Sequence, residues 1–126
     1  MLNALFPNTV YVRVRADQFQ TRHLESGETK TVRADPPFTS QRMLIGDFSA
    51  AEHALKVSLK EIARGGFFSV APHVVIQPLD KIEGGLCEIE KRIIREIAIG
   101  AGASKVVVWV GPELTDSQVK EKLREE

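Results

Sequence analysis

Apolar and polar side chains alternate near the start of the chain, where valines occupy every second position between Thr9 and Arg15. This period of two is typical of a β-strand that buries one face. Two weaker strand patterns follow at residues 19–25 and 29–33, on either side of Ser26-Gly27-Glu28. That triplet favours a tight turn. The segment therefore predicts three antiparallel strands.

The hydrophobic period changes to three and four residues from Ser49 onward, which indicates an amphipathic helix. Ser49 and Glu52 have the spacing of a capping box, so the helix is predicted to begin there. Gly65-Gly66 ends the pattern.

Two more helices are predicted further along the chain. The stronger one stops at Gly100 and Gly102 and is expected to bury one apolar face. That face comprises Leu86, Ile89, Ile93, Ile94 and Ile97. A last, largely polar helix opens with Thr115 and Gln118, which again have capping-box spacing.

Short apolar runs without alternation, at residues 73–79 and 105–110, indicate strands that are covered on both faces. The element order is then β-β-β-α-β-α-β-α within a single domain spanning residues 1–126. A meander followed by two right-handed crossovers predicts an α/β fold with a mixed five-stranded sheet in the order 3-2-1-4-5. This is the ribonuclease-H-like or actin-like arrangement. A flavodoxin-like sheet would need helices between the first strands, and residues 9–33 leave no room for them.

Composition excludes several classes of protein. The 126 residues carry 17 basic and 17 acidic side chains, and a net charge of zero argues against a protein that binds phosphate backbones. No apolar run reaches the roughly 18 residues that a membrane span needs. The single cysteine favours a reducing compartment, so we expect a cytoplasmic protein.

Several segments resemble MreB, the bacterial actin-like cell-shape family. The most specific are Glu90–Glu96, Gly100–Val106 and the run Gly65–Ile76, and Met43–Phe48 is similar to the entry of that family's corresponding helix. The segment from Leu5 aligns with its first strand. The match implies an N-terminal-type actin-like domain. The family's small flanking subdomain is expected to be reduced to residues 35–42, and its second large domain to be absent.

The resemblance also implies what the chain does not bind. The family holds ATP with a first-strand Asp and a Gly-Thr turn whose backbone amides contact phosphates, and here those positions are Arg13, Arg15 and Ala16. The family's Glu before Pro, which hydrolysis needs, is replaced by Gly111. Arginine in place of aspartate would repel Mg²⁺ rather than hold it. We therefore expect no ATP, no metal, no cofactor and no ATPase activity.

Other reactive groups do not form a catalytic pattern. Two-metal nuclease chemistry needs an acid in the first strand, which has none, and Asp80, Glu52 and Glu61 are expected to be separate solvated charges. The three histidines lie on different elements without zinc spacing. Cys87 lacks a local histidine and is expected to be a partly buried structural residue.

The first candidate functional surface is the face of the meander opposite the valines. Tyr11, Arg13 and Arg15 are predicted to point there, joined by Arg22 and its neighbours Lys30 and Arg33. It is either a partner- or anion-binding patch or a solvated sheet face, since antiparallel sheets often expose one side.

The second candidate surface is the loop that contains Phe67 and Phe68. MreB relatives place an apolar pair there that enters the membrane, and Leu2, Leu5 and Phe6 could assist. The alternative is that both phenylalanines cover the core. Two aromatic side chains bury little area, so a membrane contact through this loop would be weak and peripheral.

These observations favour a non-enzymatic, actin-like binding module linked to cell-shape or cytoskeletal control. The expected partners are a second copy of the chain or an actin-like filament protein. A homodimer would cover surface that the missing domains leave exposed. The alternative is an enzyme, or an anion- or nucleic-acid-binding protein, that uses an unrelated surface.

Overall fold

The computed structural model describes residues 8–63 and 71–125. Its elements follow the predicted order, and their bounds are β1 Thr9–Arg15, β2 Gln18–His23, β3 Thr29–Arg33, α1 Phe48–Ala63, β4 His73–Pro78, α2 Glu88–Gly100, β5 Lys105–Val108 and α3 Asp116–Glu125. Each predicted strand and helix is therefore confirmed, with ends that differ by a few residues.

The strands form one mixed sheet in the order β3-β2-β1-β4-β5. The central strand β1 pairs antiparallel with β2 and parallel with β4, so that Val12 lies between Thr21 and Ile76. The outer pairs are β2 with β3, antiparallel, and β4 with β5, parallel. This topology confirms the predicted fold class and excludes the flavodoxin-like alternative.

Helices α1 and α2 cover one face of the sheet, and the main core lies between these layers. The valines of β1 point into it, as the alternating pattern predicts. Ile97 of α2 and Leu55 of α1 are fully buried there. Residues 34–47 contribute to the same core, because Phe38 stacks on Phe19 of β2 with the ring centroids 5.0 Å apart.

Helix α3 covers only part of the opposite face. Val119 and Leu123 pack on Val75, Val107 and Tyr11, which form a second, smaller cluster. The sides of β2 and β3 on this face carry polar residues that are exposed or half-buried: Gln18, Gln20, Arg22, Thr29, Thr31 and Arg33. The molecule is therefore covered on both sides at its centre and on one side at the β3 edge.

The start of α1 differs from the prediction. The helix begins at Phe48, and the carboxylate of Asp47 accepts a hydrogen bond from the Ala50 amide at 3.0 Å. The Asp47 carboxylate therefore caps the helix, and the capping box predicted from Ser49 is wrong. The predicted box before α3 is confirmed, because Thr115 and Gln118 exchange side chain-to-backbone hydrogen bonds.

Helix α2 begins after Cys87, whose amide donates to the Glu90 carboxylate at 3.2 Å. It ends in a Schellman arrangement, with Gly102 at a φ of +118° and the Ala103 amide donating to the Ala98 carbonyl. The predicted apolar face is wrong at Ile89, whose side chain is 70% exposed. The residue lies five positions before the buried Ile94, a rotation of about 140° around the helix.

Ile97 and Ile99 allow a matched test of the main core. Replacing the fully buried Ile97 with Ala should lower the free energy of unfolding by about 2–5 kcal/mol, because the substitution leaves a cavity. Ile99 is half exposed, so Ile99→Ala should cost less than about 1 kcal/mol. Urea unfolding measures both changes. Equal losses for the two variants would contradict the packing of α2.

Candidate functional site

The candidate site lies where the carboxyl ends of β1, β4 and β5 meet. Ligands of open α/β sheets bind at such an edge, outside the ends of parallel strands. The residues that correspond to the MreB nucleotide-binding positions, Arg13, Arg15, Ala16 and Gly111, come together here. These four positions therefore lie at one edge of the sheet.

The Asp80 carboxylate lies against the turn between β1 and β2. Its Oδ2 accepts a hydrogen bond from the Ala16 amide at 2.7 Å, and its Oδ1 is 3.8 Å from the Arg15 guanidinium. The Asp80 side chain is 37% exposed, so the expectation of a solvent-facing charge near the end of a strand is confirmed, and the same carboxylate also contacts the β1–β2 turn. The Ala16 amide, which the resemblance assigns to a phosphate contact, is therefore hydrogen-bonded to a carboxylate of the same chain.

The second amide of this turn also has an internal partner. Asp17 adopts a φ of +58°, and its amide donates to the Thr39 hydroxyl at 2.9 Å. Its carboxylate accepts from the amides of Phe38 and Thr39 at 2.9 and 2.7 Å. The turn is therefore fastened to the segment that follows β3.

Arg13 points toward the end of β5. Its Nη1 donates to Glu113 at 2.8 Å, and its guanidinium carbon lies 5.4 Å from the centre of the Tyr11 ring. Its Nε is buried without a hydrogen-bond partner among residues 8–63 and 71–125. The positive charge predicted at this position is present, but an acid of the same chain pairs with it.

Tyr11 is 2% exposed, so the prediction that it belongs to an open surface is wrong. It does lie opposite the valines, but α3 and the preceding segment cover that face. Its hydroxyl donates to Gln77, accepts from the Leu114 amide at 3.1 Å, and so joins β1 to β4 and to the approach to α3. The Gln77 amide nitrogen donates to the Gly111 carbonyl at 2.6 Å. Burial raises the pKa of Tyr11 above its usual value.

Arg22 forms a two-point contact with Asp116, the first residue of α3. Its Nε and Nη2 lie 2.8 and 2.9 Å from the two carboxylate oxygens. The hydrogen bonds from Arg22 lower the pKa of Asp116 and raise that of the arginine. The pair therefore fastens the start of α3 to β2.

The remaining cations of the predicted patch separate. Lys30 pairs in register with Thr21 and lies on the α1 face, with its Nζ 4.0 Å from Glu61. Arg33 lies on the open face at the β3 edge and is exposed. The arginine face is therefore a set of acid–arginine pairs across β1 and β2 rather than one continuous cationic surface.

Other predicted positions have different outcomes. Cys87 is exposed, so the expectation of partial burial is wrong. Phe67 and Phe68, together with Leu2, Leu5 and Phe6, lie outside the described residues. Within the described ranges, no cluster of three His, Cys, Asp or Glu side chains could hold a metal ion. In the same ranges no helix combines the length and apolar character that crossing a bilayer requires.

Sequence reasoning missed three residues that organise this edge. Gln77 is completely buried, and a lone amide inside the apolar run of β4 was the available signal. Asp17 precedes β2 in a two-residue turn, where Asp tolerates positive φ. Glu113 carries no sequence signal, because its contact with Arg13 spans 100 positions of the chain.

The single tyrosine allows a direct test of its environment. Tyrosinate absorbance should titrate in the folded protein above the unfolded value of about 10, because burial favours the neutral ring. The contribution of the neutral Tyr11 ring to the free energy of unfolding is complete below pH ~10 and is lost as the pH rises through the pKa of the folded state. Tyr11→Phe should remove that alkaline loss and cost about 1–3 kcal/mol at neutral pH. A titration midpoint at or below the unfolded value would contradict burial.

The Arg22–Asp116 pair predicts an acid-dependent loss of stability. Since the pKa of Asp116 is lowered in the folded state, its contribution is present above the unfolded pKa of about 3.9 and is lost as the pH falls through the lower folded value. Asp116→Asn should therefore flatten this part of the pH–stability curve. Glu121→Gln is the matched control, because Glu121 pairs with Arg124 inside the same helix. An equal change in the pH dependence of stability in both variants would contradict a stabilising Arg22–Asp116 ion pair between β2 and α3.

Two kinds of relative match the chain. The uncharacterized protein YjaA of Escherichia coli is 33% identical over 78% of this chain and 80% of its own length. The cell shape-determining proteins MreB of Haemophilus influenzae and Pasteurella multocida are 35% and 32% identical over 55% of the chain.

The extent of these matches differs. The alignment spans 18% of each MreB protein, so it covers a small part of those relatives. No family model matches the chain. The YjaA match extends over most of both proteins at 33% identity. The chain therefore belongs to the same family as Escherichia coli YjaA.

Proposed function

We propose that this protein is a non-enzymatic, actin-like binding module that neither binds nor hydrolyses ATP. Its fold class and its partial similarity to MreB support the actin-like part of the proposal. The observation that carries the rest is the hydrogen bond between the Asp80 carboxylate and the Ala16 amide.

This hydrogen bond matters because of where it lies. The resemblance assigns phosphate contacts to a turn at Arg15 and Ala16, and here the Ala16 amide donates to Asp80 while the next amide, that of Asp17, donates to Thr39. A triphosphate would have to displace a carboxylate from a charge-assisted hydrogen bond. In the proposed function, the Asp80 carboxylate takes the place of a ligand phosphate at this turn.

Charge at the same edge opposes a magnesium nucleotide in a second way. Arg13 stands where the resemblance requires a carboxylate, and its partner Glu113 would repel a phosphate that approached from the β5 side. Arginine remains charged across the accessible pH range, so no protonation change converts this position into a metal ligand. Both components of Mg-ATP meet unfavourable charge.

Binding to proteins is the remaining activity that this surface chemistry favours. The proposed partners are a second copy of the chain and an actin-like filament protein, in keeping with the cell-shape role printed in the name of the MreB relatives. Arg13, Arg15 and Arg22 of the predicted patch already pair with acids, which makes an anion- or nucleic-acid-binding role the weaker alternative.

Thermal unfolding in the presence of Mg-ATP tests the proposal. The unfolding temperature should not change at millimolar nucleotide, whereas a ligand at 100 times its dissociation constant would add about 2.7 kcal/mol. A full MreB protein serves as the positive control for nucleotide quality. Phosphate release measured on the same samples should equal that of buffer alone.

A stabilising effect of Mg-ATP would contradict the proposal, and two variants show whether the nucleotide binds at the candidate site. Arg15→Gln removes the guanidinium beside Asp80, and Arg33→Gln removes an exposed arginine of the same sheet face at the β3 edge. Stabilisation of the original chain and of the Arg33 variant, but not of the Arg15 variant, would place a nucleotide at the β1–β2 turn. That result would reject the proposed function.

A further inference from the structure

A groove of about 330 Å³ lies between α3 and the segment that joins β5 to this helix. Its lining combines apolar and charged side chains: Trp109, Pro112, Leu114, Glu113, Glu121 and Lys122. The volume is near the lower end of the roughly 300–1,000 Å³ of ligand pockets, which suits a side chain or a short peptide segment rather than a large cofactor.

Trp109 is held in one orientation in this groove. Its indole N–H donates a hydrogen bond to the Pro112 carbonyl at 2.8 Å. The ring also packs closely on Gly111, where a Cβ atom would lie only 2.6 Å from the ring carbon Cζ2. The indole is therefore pre-organised, so a ligand can bind it without first having to order it.

One face of this indole already binds a cation of the same chain. The Nζ of Lys122 lies 4.0 Å from the centre of the Trp109 ring. This distance is well within the ~6 Å over which an ammonium is attracted to an aromatic face. The same Nζ is 4.0 Å from the Glu125 carboxylate, which gives the lysine a second partner if it leaves the ring. The contact identifies the chemistry that this face of the indole accepts.

Two carboxylates beside the indole retain capacity to bind a cation. The side chains of Glu113 and Glu121 are 50% and 59% exposed, and each has one oxygen 2.8 Å from an arginine, Arg13 or Arg124. The second oxygen of each carboxylate accepts no hydrogen bond within residues 8–63 and 71–125. An aromatic face next to such carboxylates complements a basic group on an aliphatic stem.

We propose that the Trp109 groove is the docking site for an arginine-bearing segment of a protein partner, whose guanidinium displaces the Lys122 ammonium from the indole. The inference rests on the proposed function as a protein-binding module, and adds the surface and the chemistry of the partner. A planar guanidinium stacks on an aromatic ring and donates to carboxylates at the same time. Lys122 competes for the same face, so the original chain binds such a segment weakly.

Fluorescence tests this docking directly, because Trp109 is the single tryptophan of the chain. The probe is a blocked hexapeptide that carries one arginine and one leucine among alanines, titrated to millimolar concentration. The emission maximum of Trp109 should move to shorter wavelength as the segment covers the indole. The same peptide with glutamate in place of arginine should leave the emission unchanged, because the carboxylates of the groove repel it.

Lys122→Gln should strengthen binding of the arginine peptide about five-fold or more. The variant vacates the indole face and removes the like charge that opposes the incoming guanidinium. Lys120→Gln is the matched control, since Lys120 is exposed on the same helix but about 200° away around its axis. It removes the same charge and should change the affinity by less than about two-fold.

Two titration results would overturn the inference: no emission change with the arginine peptide in either the original chain or the Lys122 variant, or an equal gain in the two lysine variants. An emission change on dilution without peptide would also overturn it, because a second copy of the chain would then occupy the groove. Mg-ATP binding that depends on Arg15 rejects the proposed function instead, so the two failures are distinguishable.

Discussion

Burial of β1 on both of its faces is the constraint on which the rest of the structure depends. Its valines enter the core under α1 and α2, and Tyr11 lies under α3 on the other side. Its edges pair with β2 and β4. A strand in this position can carry polar side chains only where other groups satisfy them, and this requirement explains the network at its carboxyl end.

The candidate site follows from that requirement. Tyr11, Gln77 and the Gly111 carbonyl satisfy one another inside the sheet, and Arg13 and Arg15 extend to acids that follow β5 and β4. At this edge of the sheet, acids of the same chain contact Arg13, Arg15 and the Ala16 amide.

Local patterns in the sequence predicted the fold well, because each strand and helix has a clear hydrophobic period and a two-residue turn fixes the β1–β2 register. Contacts between residues far apart in the sequence were harder to predict. Ile89 has the spacing of an apolar helix face, but which arc of α2 meets the sheet depends on how the helix packs. Tyr11 was assigned correctly to its face, yet the side chains that cover it, Val119 and Leu123, come from the last helix of the chain.

Because α3 covers only part of its face of the sheet, the free energy of local unfolding differs between the strands. Strand β3 has α1 on one side, solvent on the other and one hydrogen-bonded neighbour, whereas β1 has two hydrogen-bonded neighbours and is buried on both faces from Thr9 to Val12. Local opening therefore costs least at the β2–β3 hairpin and most at the centre of the sheet. A protease, or the edge strand of another molecule, would therefore reach the backbone of β3 first. Lys30 and Arg33 of this strand carry charges, which disfavour pairing between edge strands.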